Sequence, residues 1–130
     1  MKRFSTTMGS LAILAGLAVA GPAMAQEKAS PLQWQYFQAD ENGFNRTPVL
    51  LTGDKDAILL DGGFTLSDGK AVAEKIKETG KKLTTIYVSQ SDPDYYFSLG
   101  PIKAAFPDAR IIAAPETVDA IKGNIEAKLK

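Results

Sequence analysis

Apolar and polar residues alternate along Leu32-Gln33-Trp34-Gln35-Tyr36-Phe37-Gln38, the period of a half-buried β-strand. A turn region from Ala39 to Arg46 follows, with Asn42-Gly43 inside it. Pro48-Val49-Leu50-Leu51-Thr52 reads as a second strand, and Gly53-Asp54-Lys55-Asp56 as a tight hairpin turn. The unbroken apolar run in Ala57-Ile58-Leu59-Leu60-Asp61 predicts a third strand buried on both faces. Gly62-Gly63 breaks it. The period then lengthens to that of a helix, with Val72, Ala73 and Ile76 on one face, Ser67 or Asp68 as its cap and Gly80 as its stop. Leu83 to Val88 is a fourth strand. Asp92-Pro93 reads as a cap and first-turn proline of a helix that places Leu99, Ile102 and Phe106 together. Arg110-Ile111-Ile112-Ala113-Ala114 is a fifth strand. Pro115 opens a last helix with Val118, Ile121, Ile125 and Leu129 on one side.

This order is a three-stranded meander, then helix, strand, helix, strand, helix. It predicts an α+β, mixed αβ domain: a mixed sheet with right-handed crossovers and helices packed on one face. No internal repeat or low-complexity tract interrupts it.

The first 25 residues follow a different logic. Lys2 and Arg3 precede an apolar run from Leu11 to Ala20, and Ala23-Met24-Ala25 has the small residues of a cleavage site. Residues 1–25 are expected to be a bacterial signal peptide, cut after Ala25, and residues 26–130 a single secreted or periplasmic domain. The alternative is an uncleaved anchor, but the run is short for a bilayer and ends in Gly21-Pro22. No stable membrane insertion is expected after cleavage. Losing Lys2 and Arg3 leaves 13 of the 15 basic residues against 15 acidic ones, a net charge near −2. Nothing in that balance suggests nucleic acid.

Composition also removes mechanisms. The chain has no cysteine and no histidine. A Ser-His-Asp triad, a Cys-His pair and a Cys/His zinc site are all impossible within it. A metal bound here would have oxygen ligands, which suit manganese or magnesium better than zinc.

Candidate chemistry gathers where the fourth strand ends, in Ser89-Gln90-Ser91-Asp92-Pro93-Asp94-Tyr95-Tyr96-Phe97. Two readings of its carboxylates stand side by side. Asp92 and Asp94 could point at one divalent cation with Gln90 as a neutral oxygen donor. Or Asp92 caps the following helix and Asp94 sits in its first turn, favoured by the dipole. Asp61 could be a phosphoacceptor at a strand end, though the rest of such a site is not visible, and bonding to loop backbone is the better reading. Tyr95, Tyr96 and Phe97 line a cleft or pack as core.

The same features resemble the metallo-β-lactamase fold family. Members carry a His-any-His-any-Asp-His loop after the fourth strand that binds one or two metal ions. Aligned on Asp94, Gln90 falls on the first histidine, Asp92 on the second and Tyr95 on the third. One branch of the family has His-Gly-Asp-Pro-Asp-Tyr-Tyr-Phe here, and Gln90 to Phe97 is similar to it at six of eight positions. The likeness extends to Gly80–Tyr87 and Ala104–Ala109, and spans roughly Pro48 to Ile121.

The resemblance implies the N-terminal half of an αββα sandwich and an exported metallo-hydrolase by descent. It makes Gln90, Asp92 and Asp94 the metal set and Asp94 the catalytic residue, with Asp61 and Tyr95 structural. The cofactor would be one divalent ion (zinc in the family, manganese or magnesium with these donors) or none. Hydrolysis would be weakened or absent, because an amide replaces an imidazole at Gln90. The alternative is a non-catalytic half-domain, a binding or self-associating module. Its apolar sheet face would meet a second copy or a partner chain supplying the other half, with Leu50, Ile58, Leu60 and Ile86 as candidates for that face or its opposite.

Overall fold

A computed structural model describes residues 30–130, so the expected signal segment and cleavage site lie outside the described residues. The chain forms β1 (Gln33–Tyr36), β2 (Val49–Thr52), β3 (Asp56–Leu60), α1 (Leu66–Glu78), β4 (Lys82–Val88), α2 (Leu99–Ala105), β5 (Arg110–Ala113) and α3 (Pro115–Lys128). The five strands make one sheet in chain order. The pairs β1–β2 and β2–β3 are antiparallel, and β3–β4 and β4–β5 are parallel. This is a mixed αβ protein with a five-stranded mixed sheet and three α-helices.

Parallel neighbours need a crossover, and α1 and α2 supply the two crossovers. Val72, Ala73 and Ile76 of α1 join Leu99 and Ile102 of α2 in one core with Leu50, Leu59, Leu83, Ile86 and Val88 of the sheet. Burying each such side chain contributes about 1.5–3 kcal/mol. On α3, Val118, Ile121 and Ile125 are half-buried and Leu129 is exposed.

Two helix starts differ from expectation. The cap of α1 is Thr65, not Ser67 or Asp68. Its hydroxyl accepts from the Asp68 N–H at 3.0 Å, and Asp68 accepts the Thr65 N–H at 3.3 Å. Asp68 therefore serves as the third-position partner of a capping box. Past Thr79, Gly80 adopts φ +65° and ends the helix. The second helix does not begin at Pro93. Pro93–Tyr95 is one 3-10 turn, and α2 starts only at Leu99. The Gly62 N–H takes the Tyr95 carbonyl at 2.7 Å, and the Ser98 N–H donates to Gly63 at 3.2 Å. The exit of β3 thus captures the backbone that a continuous helix would need.

The third strand is buried on one face only. Ala57 and Leu59 are buried, while Asp56 and Ile58 are exposed. A continuous apolar run implied two covered faces; the helices cover just one. Likewise β1, expected to be half-buried, is exposed at all four residues, as an edge strand beyond the helical layer. Cross-strand register puts two rows of side chains on the open face. One is Trp34, Leu51, Ile58, Thr85, Arg110; the other is Tyr36, Val49, Leu60, Tyr87, Ile112. Trp34 is 67% exposed, Tyr36 59%, Ile112 40% and Ile58 39%. Of the sheet residues named as candidates for this face or its opposite, Ile58 and Leu60 lie on it, and Leu50 and Ile86 lie on the opposite, helix-covered face.

Candidate functional site

The site is built where β3 and β4 end side by side. Asp61 leaves β3 with φ +63°, a left-handed backbone that aspartate tolerates better than most residues. Its carboxylate then accepts the Ser89 N–H at 2.7 Å and the Ser89 hydroxyl at 2.8 Å. The Asp61 N–H donates to the Tyr87 carbonyl at 2.8 Å. Asp61 therefore ties the two strand ends together and fixes where the acidic loop departs.

A second loop reaches the same place. Asp40 accepts the Asn42 N–H at 2.9 Å and the Gly43 N–H at 3.2 Å, capping the short 3-10 turn Glu41–Gly43. Phe44 and Asn45 follow with φ of 56° and 52°, and the chain reverses toward β2. This turn delivers Arg46 to the acidic loop. Its Nε donates to Asp94, and its Nη1 donates to the Tyr95 hydroxyl at 2.7 Å. The guanidinium also lies 4.3 Å from the Tyr95 ring centroid, in cation–π range. Burial opposes the charge on Arg46. The hydrogen bond and negative charge of Asp94, with Tyr95, outweigh it and hold the pKa above the ordinary arginine value.

Asp92 is placed at the cap position of the Pro93 turn, but its side chain makes no capping hydrogen bond. It is largely exposed and lies 3.5 Å from Lys128 Nζ, which donates to the Ser91 carbonyl at 2.6 Å. Gln90 is exposed. Tyr96 packs against the hydrophobic core, and Phe97 is half-buried. Phe97 stacks on Phe64 at 5.9 Å and meets Tyr96 edge-on at 5.2 Å. The Tyr96 hydroxyl is buried without a partner among the described residues. Burial, then the charge of Asp92, raises its pKa.

Arg46, Asp61, Gly63, Asp94 and Tyr95 line a polar recess of about 200 Å³. Of the three residues matched to metal ligands only Asp94 lines it; Asp92 and Asp94 together line a second recess of about 270 Å³ with Phe44, Phe64 and Pro93, and Gln90 lines neither. Asp94 is held by Arg46, Asp92 faces Lys128, and Gln90 points no charge anywhere. Among the described residues no three histidine, cysteine, aspartate or glutamate side chains group as a metal site. A divalent cation here would sit against a guanidinium and an ammonium, with one neutral donor in place of an imidazole. A cation bridging Asp92 and Asp94 would have to displace the Arg46–Asp94 ion pair.

Arg46 and Lys128 are the residues that decide this, and neither stood out in the sequence. Arg46 lies 48 residues from Asp94 and Lys128 lies 37 from Ser91, so only the fold brings them together. Asp61 and Tyr95 sit in the site, the one bonding loop backbone and the other under Arg46. No known protein-family model matches the chain, and no curated protein matches it.

Proposed function

We propose that this chain is an exported, metallo-β-lactamase-like half-domain, a hydrolase by descent that works as a non-catalytic binding module. One observation carries the reading: the face of the sheet opposite the helices presents two rows of mostly apolar side chains across all five strands. A contiguous apolar face of that extent is a protein-interaction surface in a stable protein. The acidic loop supports it from the other side, because both its carboxylates already face cationic side chains. The resemblance of Gln90–Phe97 to a metal-binding loop favours the second reading, a hydrolase that recruits an ion through Asp92 and Asp94.

Metal uptake separates the two. The purified protein is incubated with zinc, manganese or magnesium, exchanged into metal-free buffer and analysed for bound ions. The binding-module reading expects no ion that depends on the loop. An ion per chain that Asp94→Ala and Asp92→Ala each remove, with the fold intact, would overturn it.

A further inference from the structure

We propose that the occupant of the open sheet face is a second copy of this chain. The two copies pack face to face about a two-fold axis parallel to the strands. Trp34 and Tyr36 on β1 of each then lie on Arg110 and Ile112 on β5 of the other. This rests on the binding-module reading above and names its partner.

The area is right for a dimer. A fully exposed aromatic side chain offers ~150–250 Å², and the two rows together leave on the order of 700 Å² accessible. A standard stable interface buries about 800 Å² per partner. The composition fits as well. Val49, Leu51, Ile58, Leu60, Thr85 and Tyr87 fill the middle of the face without a charge, and the one charge in the two rows, Arg110, stands at the edge. That is an apolar centre with a polar rim.

The two edges of the face decide the axis. β1 presents a tryptophan and a tyrosine; β5 presents an arginine and an isoleucine. An axis perpendicular to the strands, lying between the sheets, would set β1 on β1 and β5 on β5, so that Arg110 meets Arg110 or Ile112 and has no tryptophan beneath it. An axis parallel to the strands sets Trp34 on Arg110 and Tyr36 on Ile112, twice over by symmetry. Arginine over tryptophan is the stronger class of cation–π contact. Sheets packed this way sit about 10 Å apart with interdigitating side chains.

Trp34 is the only tryptophan in the chain, so it reports the interface directly. The purified protein is followed by sedimentation equilibrium and by tryptophan fluorescence from nanomolar to tens of micromolar. The expected result is a dimer whose formation shifts Trp34 emission to shorter wavelength and protects it from acrylamide. Ile58→Asp, at an exposed position, should weaken the dimer at least ~100-fold with unchanged circular dichroism, since it desolvates a carboxylate in an apolar interface. Arg110→Ala should weaken it by about tenfold. A monomer at tens of micromolar with water-exposed Trp34 overturns the pairing. So does a dimer that leaves Trp34 wet or ignores Ile58→Asp, which would be joined elsewhere. A monomer that takes up no metal removes only the second copy as partner; metal bound through Asp94 removes the reading beneath it.

Discussion

The contact between Arg46 and Asp94 is open to a direct energetic test. Arg46→Gln, Asp94→Asn and the double variant form a double-mutant cycle. The Asp94 side chain is 14% exposed and the Arg46 side chain 36%, between a surface pair and a buried one. Exposed pairs give about 0.2–1 kcal/mol, and breaking a buried pair costs about 3–5 kcal/mol. A coupling of ~1–1.5 kcal/mol is therefore expected, after allowing for solvent screening of the arginine. Arg46→Gln should cost more than Asp94→Asn, because it also loses the Tyr95 hydroxyl bond and the ring contact, worth together about 1–2 kcal/mol. Urea denaturation reads both quantities, and the coupling should shrink in high salt. Additive single effects, with a coupling below ~0.3 kcal/mol, would refute the claim that Arg46 occupies this carboxylate. A wild type destabilised by chelator, together with a neutral Asp94→Asn, would point instead to an ion.

Substitutions at three further positions probe the frame around the site. Tyr96→Phe removes a buried hydroxyl with no partner among the described residues, so it should leave stability unchanged or raise it by up to ~1 kcal/mol at neutral pH. The folded pKa of Tyr96 is raised above its ordinary 10.0, so the folded state holds the proton more tightly than the unfolded state. Stability should fall as pH climbs from that value, and the wild type minus Tyr96→Phe difference, measured by urea titration, should show the fall. Gly69→Ala would drive a Cβ into the Ser98 carbonyl oxygen, forcing α1 away from the start of α2. A loss of ~3 kcal/mol or more in thermal or urea unfolding is expected, and a wild-type midpoint would contradict the close packing. Asp61→Ala loses both Ser89 bonds and keeps a left-handed backbone, for a cost of about 2–3 kcal/mol. Asp61→Asn, which tolerates that backbone and keeps one acceptor, should cost about half as much by the same assay.

The sequence carried the order of elements well because the signals were local. Alternation marked β1, glycines marked the ends of β3 and α1, and Pro115 opened α3 at the first helical position. Tertiary facts were less legible. The run Ala57–Leu60 reads identically whether one face of β3 is covered or two, since apolar residues on an open face look like core. The helix expected from Pro93 failed because Gly62 and Gly63, some thirty residues away, compete for its carbonyl and N–H groups. The acidic loop was legible as a cluster of carboxylates. Its neutralisation was not, because Arg46 and Lys128 arrive from the β1–β2 connection and the end of α3.

The ion pairs of the loop and the open face of the sheet bear on each other. The strand-parallel axis keeps the strand directions of the two copies aligned. The β3 and β4 ends of both copies therefore come to the same edge of the proposed sandwich, and with them both acidic loops. Four carboxylates, two Asp92 and two Asp94, would then share one rim. Unpaired, such a cluster of like charges would oppose association. Each copy instead brings Arg46 against its own Asp94 and Lys128 near its own Asp92, so the rims meet close to neutral. In the proposed dimer the same pairs that compete with a divalent ion would permit two copies to close. It follows that Arg46→Gln should weaken the dimer as well as the fold, although Arg46 lies outside the two apolar rows. That loss should be greatest at low salt, where bare carboxylates repel most strongly. A dimer constant unmoved by Arg46→Gln at low ionic strength would separate the loop from the interface and leave its ion pairs a purely local feature.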